Sequence, residues 1–253
     1  MKNTDQKIIQ PKPYHKMKTS NKFLVLVTLV VVAYLVVYDA GLKAEYLKGD
    51  FKSRFFGMEQ LSIKDFSSID HQAANMIDVT IEKGDKFSVW LRKDVKDKVQ
   101  ITKQGNTLMI KYTGPDERRY YYSGAMIITC PHLDSITTTA NVKKEQTFQN
   151  DSYGGDIDVV GFDQQKMIAN AGPLTQIELK NNKLEYLQAT IGDNSPMIGS
   201  LNVNASNHIK LANIKVNGIS ELKMSNPDIT TLEHSFSDNA SLVLTGKAIR
   251  LLK

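Results

Sequence analysis

The chain has 253 residues, of which 41% are hydrophobic, and a formal net charge of +5. This length and apolar content suffice for one or two hydrophobic cores, so a disordered chain is not the expected class. Six lysines and one aspartate in residues 1–22 account for the whole net charge. The other residues are neutral overall, and nucleic acid is therefore not expected as a partner.

An apolar run follows the lysines, from Phe23 to Tyr38. A membrane-spanning helix takes about 20 residues, and ~17 suffice when Tyr and Lys side chains anchor its ends. A secretory signal peptide has a shorter apolar region of roughly 7–15 residues, and its cleavage site requires small residues where Tyr38 and Asp39 stand. We predict a transmembrane signal anchor over residues 23–40; under the alternative of a cleaved signal peptide, Leu42-Lys43-Ala44 is the best cleavage site.

The lysine-rich flank predicts the orientation of this anchor, because basic residues in short flanks stay in the cytoplasm. Residues 1–22 are then a basic cytoplasmic tail, residues 41–64 a polar connector, and residues 65–253 an extracytoplasmic domain. The prediction is a single-pass inner-membrane protein with a periplasmic C-terminal domain. Cys130 is the sole cysteine and cannot form an intramolecular disulfide, so we expect it to be a small buried apolar residue.

Period-two alternation begins after the connector and predicts antiparallel strands. Apolar residues alternate from Ile77 to Ile81 and again from Phe87 to Leu91, with Lys83-Gly84-Asp85 as a turn between them. The segment "VQITKQGNTLMIKY" has the same pattern around Gln104-Gly105-Asn106. Each of these two segments therefore reads as a β-hairpin.

A longer repeat follows, and its residues are aligned by spacing. The repeats start at Ile157, Ile177, Leu201, Leu222 and Leu242, in steps of 20, 24, 21 and 20 residues. A second apolar residue stands two positions after each start. A third stands at Leu184, Ile209, Ile229 and Ile249, seven or eight positions after the start, whereas the first repeat has Gln164 there. At four positions after the start, residues that tolerate a left-handed backbone recur, namely Gly161, Asn181, Asn226 and Gly246.

Two short apolar clusters joined by a tight corner, in a period of 20 to 24 residues, predict a parallel β-helix, that is, a β-solenoid. The whole chain is then an all-β protein with antiparallel strands before the solenoid and one N-terminal transmembrane helix. The spacing from Leu174 to Leu184 also matches a leucine-rich repeat with Asn182 at the asparagine position. Pro227 and Lys247 occupy that position in later repeats, so the β-helix is favoured over a leucine-rich-repeat interaction module.

The order of the segments "FSSIDHQAANMIDVTIEKGDKFSVWLRKD", "VQITKQGNTLMIKY", "MIITCPHLDSI" and "LNVNASNHIKLANIKV" resembles the head GIN domain family, known as "putative autotransporter adhesin" proteins of Bacteroidetes-type envelopes. The resemblance covers roughly Asp65 to the C-terminus and includes Pro131-x-Leu133. It implies a right-handed β-helix in the cell envelope and an adhesin-like role, with no established enzymatic activity.

Residues that could carry chemistry do not form a recognisable motif. The histidines His15, His71, His132, His208 and His234 lack the spacing of a zinc site or a catalytic triad, and we expect them at the surface or at corners. Four aspartates, Asp151, Asp156, Asp158 and Asp163, offer oxygen ligands for calcium without a known calcium-loop spacing. Asp158 and Glu178 are expected side by side on neighbouring strands, as a carbohydrate-active hydrolase or lyase would require. We predict no catalytic residues, no metal and no cofactor.

The segment "GPDERRYYYSG" is the candidate binding surface, because arginine and tyrosine are enriched at interfaces. Its predicted binding residues are Arg118, Arg119, Tyr120, Tyr121 and Tyr122. The alternative is a strand with Tyr121 packed inward. The sequence thus favours a membrane-anchored, adhesin-like binding or scaffold protein with an envelope protein or polysaccharide as partner, and an envelope carbohydrate-active enzyme is the rival.

Overall fold

The computed structural model describes residues 18–115, 122–141 and 155–252. The chain divides into two compact units, the first ending at Phe56 and the second beginning at Gly57.

The first unit contains helix α1 (Thr19–Lys48) and a short 3-10 helix η1 (Asp50–Lys52). Over the part of the chain that the structure describes, α1 is the one helix long and apolar enough to cross a membrane, with a mean hydropathy of 2.5 in its most apolar window. It extends beyond the predicted residues 23–40 because good helix formers such as Ala, Leu, Lys and Glu follow Asp39. Gly49, with a φ of +70°, ends the helix.

The described residues of the second unit form seventeen strands in two sheets, with two further 3-10 helices. The nine-stranded sheet has the order β1 (Met58–Leu61), β4 (Ser88–Arg92), β7 (Tyr122–Cys130), β3 (Ile77–Lys83), β9 (Asp156–Val160), β11 (Gln176–Lys180), β13 (Ser200–Val203), β15 (Glu221–Ser225) and β17 (Ser241–Thr245). The eight-stranded sheet has the order β16 (Asp228–Phe236), β14 (His208–Val216), β12 (Lys183–Ile191), β10 (Asp163–Ala171), β8 (Ser135–Thr138), β2 (Ser68–His71), β6 (Thr107–Tyr112) and β5 (Val99–Gln104). The 3-10 helices are η2 (Lys93–Lys98) and η3 (Gly246–Leu252).

The predicted parallel β-helix is wrong. The strands form two mixed sheets, in which β4 pairs antiparallel with β1 and β7, and β5 pairs antiparallel with β6. No closed solenoid is found among the described residues. The last repeat also lacks its second strand, because η3 takes that place and leaves Ile249 57% exposed. Apolar spacing reports which side chains face a core, but it does not distinguish two mixed sheets from one closed coil.

The alignment of the repeats is confirmed. Ile177 lies opposite Ile157 on one side and Leu201 on the other, and Leu222 lies between Leu201 and Leu242. Each of the first four repeats adds one parallel strand to each sheet. The return segments are nine-residue strands such as β12 and β14, which is incompatible with the helix of an ordinary leucine-rich repeat.

The four predicted corner residues have the left-handed backbone expected of them, with φ between +55° and +79°. Glycine and asparagine reach this region at low cost, whereas most side chains clash with the backbone there. "QIELKNNKLEYL" is therefore strand β11, a corner at Asn181, and the first part of strand β12.

One of the two predicted hairpins is confirmed. Strands β5 and β6 pair antiparallel around Gly105. Strands β3 and β4 do not pair with each other; β3 pairs in parallel with β7 and β9, and β4 pairs with β7 from the other side. The Gly84 turn thus leads away from β3 because β7 is inserted between the two strands.

The hydrophobic core is formed by the inward-facing residues of both sheets, which belong to one cluster. Leu179, Val203 and Met224 are buried in register, and Leu244 in the last repeat is partly buried. Cys130 is buried as predicted, and burial raises the pKa of its thiol to about 12. A thiol in this environment is inert because the reactive thiolate form is disfavoured.

Candidate binding surface

Of the five predicted binding residues, Tyr122 lies at the start of β7. Arg118, Arg119, Tyr120 and Tyr121 lie outside the described residues, as does Asp151. The described chain on either side of these positions nevertheless defines where the segments 116–121 and 142–154 begin and end.

Tyr122 belongs to a packed aromatic and basic cluster. Its side chain is 8% exposed, and its hydroxyl oxygen accepts a hydrogen bond of 2.7 Å from the Lys98 ammonium group. The same ammonium group lies 5.2 Å from the centre of the Tyr122 ring, and the Tyr112 ring centre lies 6.5 Å away. The charge-assisted hydrogen bond and the ring packing both stabilise this arrangement. Replacement of Tyr122 would therefore disturb packing as well as any contact with a partner.

The turn from Ala73 to Asp78, which includes the first two residues of β3, holds the exit of the first segment and both ends of the second. The Asp78 carboxylate accepts hydrogen bonds from the backbone amides of Asp156, at 2.7 Å, and Gly124, at 3.2 Å. The Met76 carbonyl accepts one from the Tyr122 amide at 2.8 Å. One short turn thus fixes where the chain emerges from residues 116–121 and where it emerges from residues 142–154.

The entry to the second segment is held by the same turn. The Asn75 side-chain oxygen accepts a hydrogen bond of 2.8 Å from the Asn141 amide. Gly155, at the exit, has a φ of +65°, and a Cβ there would lie 1.5 Å from the Ala74 carbonyl oxygen. Glycine is therefore required at this close approach, and the backbone ends of the segment meet at one place on the molecule.

Three acidic side chains, Asp156, Asp158 and Glu178, lie near the turn from Ala73 to Asp78 on the outward face of the nine-stranded sheet. Asp158 and Glu178 are opposite each other in register, as predicted. The Lys180 ammonium group lies 2.8 Å from an oxygen of Asp158 and 2.9 Å from an oxygen of Glu178. Burial, followed by the charges of Asp78, Asp158 and Glu178, raises the pKa of Asp156. Gln176 donates a hydrogen bond of 2.9 Å to the Asp156 carboxylate.

The two members of the predicted carboxylate pair share one counter-charge, that of Lys180. A glycosidase requires one carboxyl group as proton donor and another as nucleophile or base, whereas Lys180 bridges both members of the predicted pair. Within the described ranges, no group of three or more His, Cys, Asp and Glu side chains could hold a metal ion. Asp163 lies in β10 of the other sheet and faces Lys183 at 3.7 Å, whereas Asp156 and Asp158 lie in β9.

The sequence did not reveal Asn75, Asp78 and Lys98 as members of this surface. Asp78 bonds to residues 46 and 78 positions away, and Asn75 to one 66 positions away. A polar residue at the start of an alternating strand is ordinary, so no local pattern marks these contacts. The alternation in β3 does place Asp78 on the outward side, opposite to Val79.

Comparison with known proteins gives similarity to solved structures alone. No family model and no curated protein matches the chain. A "putative adhesin" from Bacteroides fragilis is 15% identical with a TM-score of 0.42, covering 73% of this chain and 94% of its own. A "putative adhesin" from Parabacteroides distasonis is 14% identical with a TM-score of 0.41, covering 73% of this chain and 79% of its own.

A third solved structure has a different description. This "Putative lipid binding protein" from Parabacteroides distasonis is 14% identical with a TM-score of 0.34, covering 74% of this chain and 96% of its own. The chain is thus similar at low identity to solved Bacteroides and Parabacteroides proteins, and its likeness to the head GIN domain family stays a resemblance.

Proposed function

We propose that the protein is a membrane-anchored, extracytoplasmic binding protein whose second unit recognises an envelope polysaccharide or protein. The observation that supports this is the turn from Ala73 to Asp78, which bonds to the chain just after residues 116–121 and on both sides of residues 142–154, at one place on the two sheets. Connecting segments held on a rigid scaffold are where proteins commonly place recognition residues. Arg118, Arg119, Tyr120 and Tyr121 are the proposed contact residues.

The apolar helix α1 supports the membrane part of the proposal. All its large apolar side chains between Phe23 and Tyr38 are at least 45% exposed, and its length of 30 residues exceeds the ~20 needed to cross the hydrocarbon layer. Exposure of so many apolar side chains to water is unfavourable, whereas a lipid bilayer would cover them. An uncleaved anchor in the inner membrane, with the second unit on the periplasmic side, follows as our proposal for its topology.

Binding is proposed in preference to catalysis because the carboxylate pair is already engaged. Lys180 forms ion pairs with both Asp158 and Glu178, so both members of the pair already share a partner within the protein. We therefore propose that the protein is not an enzyme and that it uses no cofactor.

The test compares two variants of the full-length protein in detergent. Replacement of Arg118, Arg119 and Tyr120 by Ala should reduce co-sedimentation with purified cell-wall sacculi, or with outer-membrane fragments, at least about fivefold, since tyrosine and arginine contacts contribute over 1 kcal/mol each when they are anchors. Asp158→Asn combined with Glu178→Gln serves as the matched control and should bind as the wild type does. Tyr122 is left in place because it is buried.

Thermal unfolding of all three proteins should agree, which separates lost binding from lost folding. If the carboxylate variant loses binding and the wild type releases reducing sugar from the sacculi, the carbohydrate-active enzyme replaces the binding protein. If the alanine variant binds as well as the wild type, residues 118–120 are not the recognition surface.

A further inference from the structure

We propose that residues 42–56, at the end of α1 and just beyond it, dock in the headgroup layer of a membrane that contains anionic lipid. This inference rests on the anchoring part of the proposed function. It adds a second membrane contact, made by aromatic and basic side chains after the apolar run.

The length of α1 sets where the hydrocarbon layer ends. The run from Phe23 to Tyr38 has 16 residues, about 24 Å at the helical rise of about 1.5 Å per residue. The hydrocarbon layer is about 30 Å thick and takes about 20 residues, which counted from Phe23 reach Leu42. Tyr46 then lies about 6 Å further along the helix, within the headgroup layer of roughly 5–7 Å on each side.

Aromatic side chains just after the helix pack back against Tyr46, at the end of α1. Gly49 ends α1 in the left-handed region, and the Phe51 ring then stacks on the Tyr46 ring with centres 5.3 Å apart. The Lys52 ammonium group lies 5.9 Å from the Tyr46 ring centre and 5.8 Å from that of Phe51. The Arg54 guanidinium group lies 5.1 Å from the Phe55 ring centre. Cations and aromatic rings are thus held together at the end of the helix.

These apolar groups are left uncovered by the described part of the first unit. Tyr46 is 64% exposed, Phe51 47% and Phe56 63%. Aromatic rings with an adjoining cation are the side chains found at membrane–water interfaces, where the ring is partly buried and the charge meets lipid phosphate. The headgroup layer satisfies both parts of this cluster at once.

The bilayer is a better occupant than a second copy of the chain. The cluster continues the same helix that carries the apolar run, so membrane insertion of the run brings the cluster to the interface without a further step. Two copies packed through the Tyr46 and Phe51 rings would bring their Lys52 ammonium groups together, and like charges in contact are unfavourable. Anionic headgroups instead supply the opposite charge.

The depth of single tryptophans in vesicles tests the docking. Trp90 is the sole native tryptophan, so Trp90→Phe in the full chain gives a background without signal. Phe51→Trp, Tyr38→Trp and Val30→Trp are then added one at a time. The proteins are reconstituted in phosphatidylcholine vesicles with or without phosphatidylglycerol, using lipids brominated either near the headgroup or near the end of the acyl chain.

We expect Phe51→Trp to be quenched about twofold or more by the shallow bromines and little by the deep ones, with Val30→Trp showing the reverse. The deep bromines should quench Tyr38→Trp more strongly than they quench Phe51→Trp. Added phosphatidylglycerol should shift the Phe51→Trp emission to shorter wavelength, and Lys52→Gln should remove most of that shift. A shift that persists in Lys52→Gln overturns the lipid-charge part of the proposal.

Other outcomes separate this inference from the proposed function. If Val30→Trp is quenched and Phe51→Trp is not, the helix anchors the protein and the docking of residues 42–56 is wrong. If neither is quenched, the anchoring itself is wrong. If the Phe51→Trp emission depends on protein density in the vesicles and not on bromine position, a second copy occupies the cluster.

Discussion

The buried residue His71 makes the stability of the fold depend on pH. It is fully buried at the end of β2, and one ring nitrogen, Nε2, lies 2.9 Å from the Ile77 carbonyl oxygen. Burial lowers its pKa to about 4, partly opposed by backbone hydrogen bonds to Ile77 and Ile110 and by the charges of Asp70 and Asp78. His71 thus lies next to a turn, one of the two places expected for it, but it is buried and not at the surface.

The low pKa of His71 predicts that the protein loses stability in mild acid. A histidine in an unfolded chain has a pKa near 6.5, whereas the pKa of His71 in the folded chain is about 4. Between these two pH values the unfolded chain binds a proton at His71 and the folded chain does not. The folded state is thus favoured above pH ~6.5, and between pH ~7 and ~5 it should lose about 2 kcal/mol. Guanidinium unfolding of the full chain in detergent, followed by Trp90 fluorescence, measures this loss.

The control for this prediction is His71→Gln, which does not titrate. Its unfolding free energy should change with pH by clearly less than that of the wild type over the same range. Equal pH dependence in the two proteins would assign the loss to other groups.

Two buried asparagines support the corners between the two sheets. Asn182 donates to the Val159 carbonyl at 2.9 Å and accepts from the Phe162 amide at 3.0 Å. The Asn207 side chain accepts from the Asn182 amide at 3.0 Å and donates to the Leu179 carbonyl. Each side chain thereby satisfies backbone groups where the chain leaves one sheet for the other. Successive repeats are linked by these bonds as well as by strand pairing.

Asn182→Leu should destabilise the protein by about 2–4 kcal/mol. The leucine fills a similar volume but leaves the Phe162 N–H and the Val159 C=O without their partner, and each unpaired buried group costs about 1–3 kcal/mol. The neighbouring Asn181→Gly is the matched control, because Asn181 has a φ of +55° and glycine adopts it freely. A chemical denaturation midpoint that falls equally in both variants would contradict a specific role for the Asn182 amide.

The whole molecule combines an apolar helix with a β unit, and under the proposed anchoring the orientation of the helix determines on which side of the membrane the β unit lies. The flanking lysines of residues 1–22 and the apolar run predict that the N-terminus stays in the cytoplasm. Under this topology the sheets, the turn from Ala73 to Asp78 and the segments it holds all face the periplasm. Every partner proposed for the second unit depends on this orientation.

A reporter that is active only outside the cytoplasm, fused after Lys253, should therefore be active, and the fusion should stay in the membrane fraction after carbonate washing. Replacing the six lysines of residues 1–22 by Gln should lower reporter activity, because the charge bias that orients the helix is removed. Recovery of a soluble, active fusion with a shortened N-terminus would instead support cleavage near Ala44.

The sequence by itself determined the apolar helix, the alignment of the repeats and the corner residues such as Asn181. These features depend on periodicity and on backbone conformation, which are properties of neighbouring residues. The period-two alternation from Ile69 to His71 also indicates that His71 faces the core. We did not predict this because histidine side chains are usually exposed. Tertiary structure decided that β7 separates β3 from β4 and that the repeats form two mixed sheets. It also decided that Asp78 joins the starts of β7 and β9. The alternation of a strand determines which of its faces is buried, but the strand that pairs with it comes from a distant part of the chain and is selected only when the core packs.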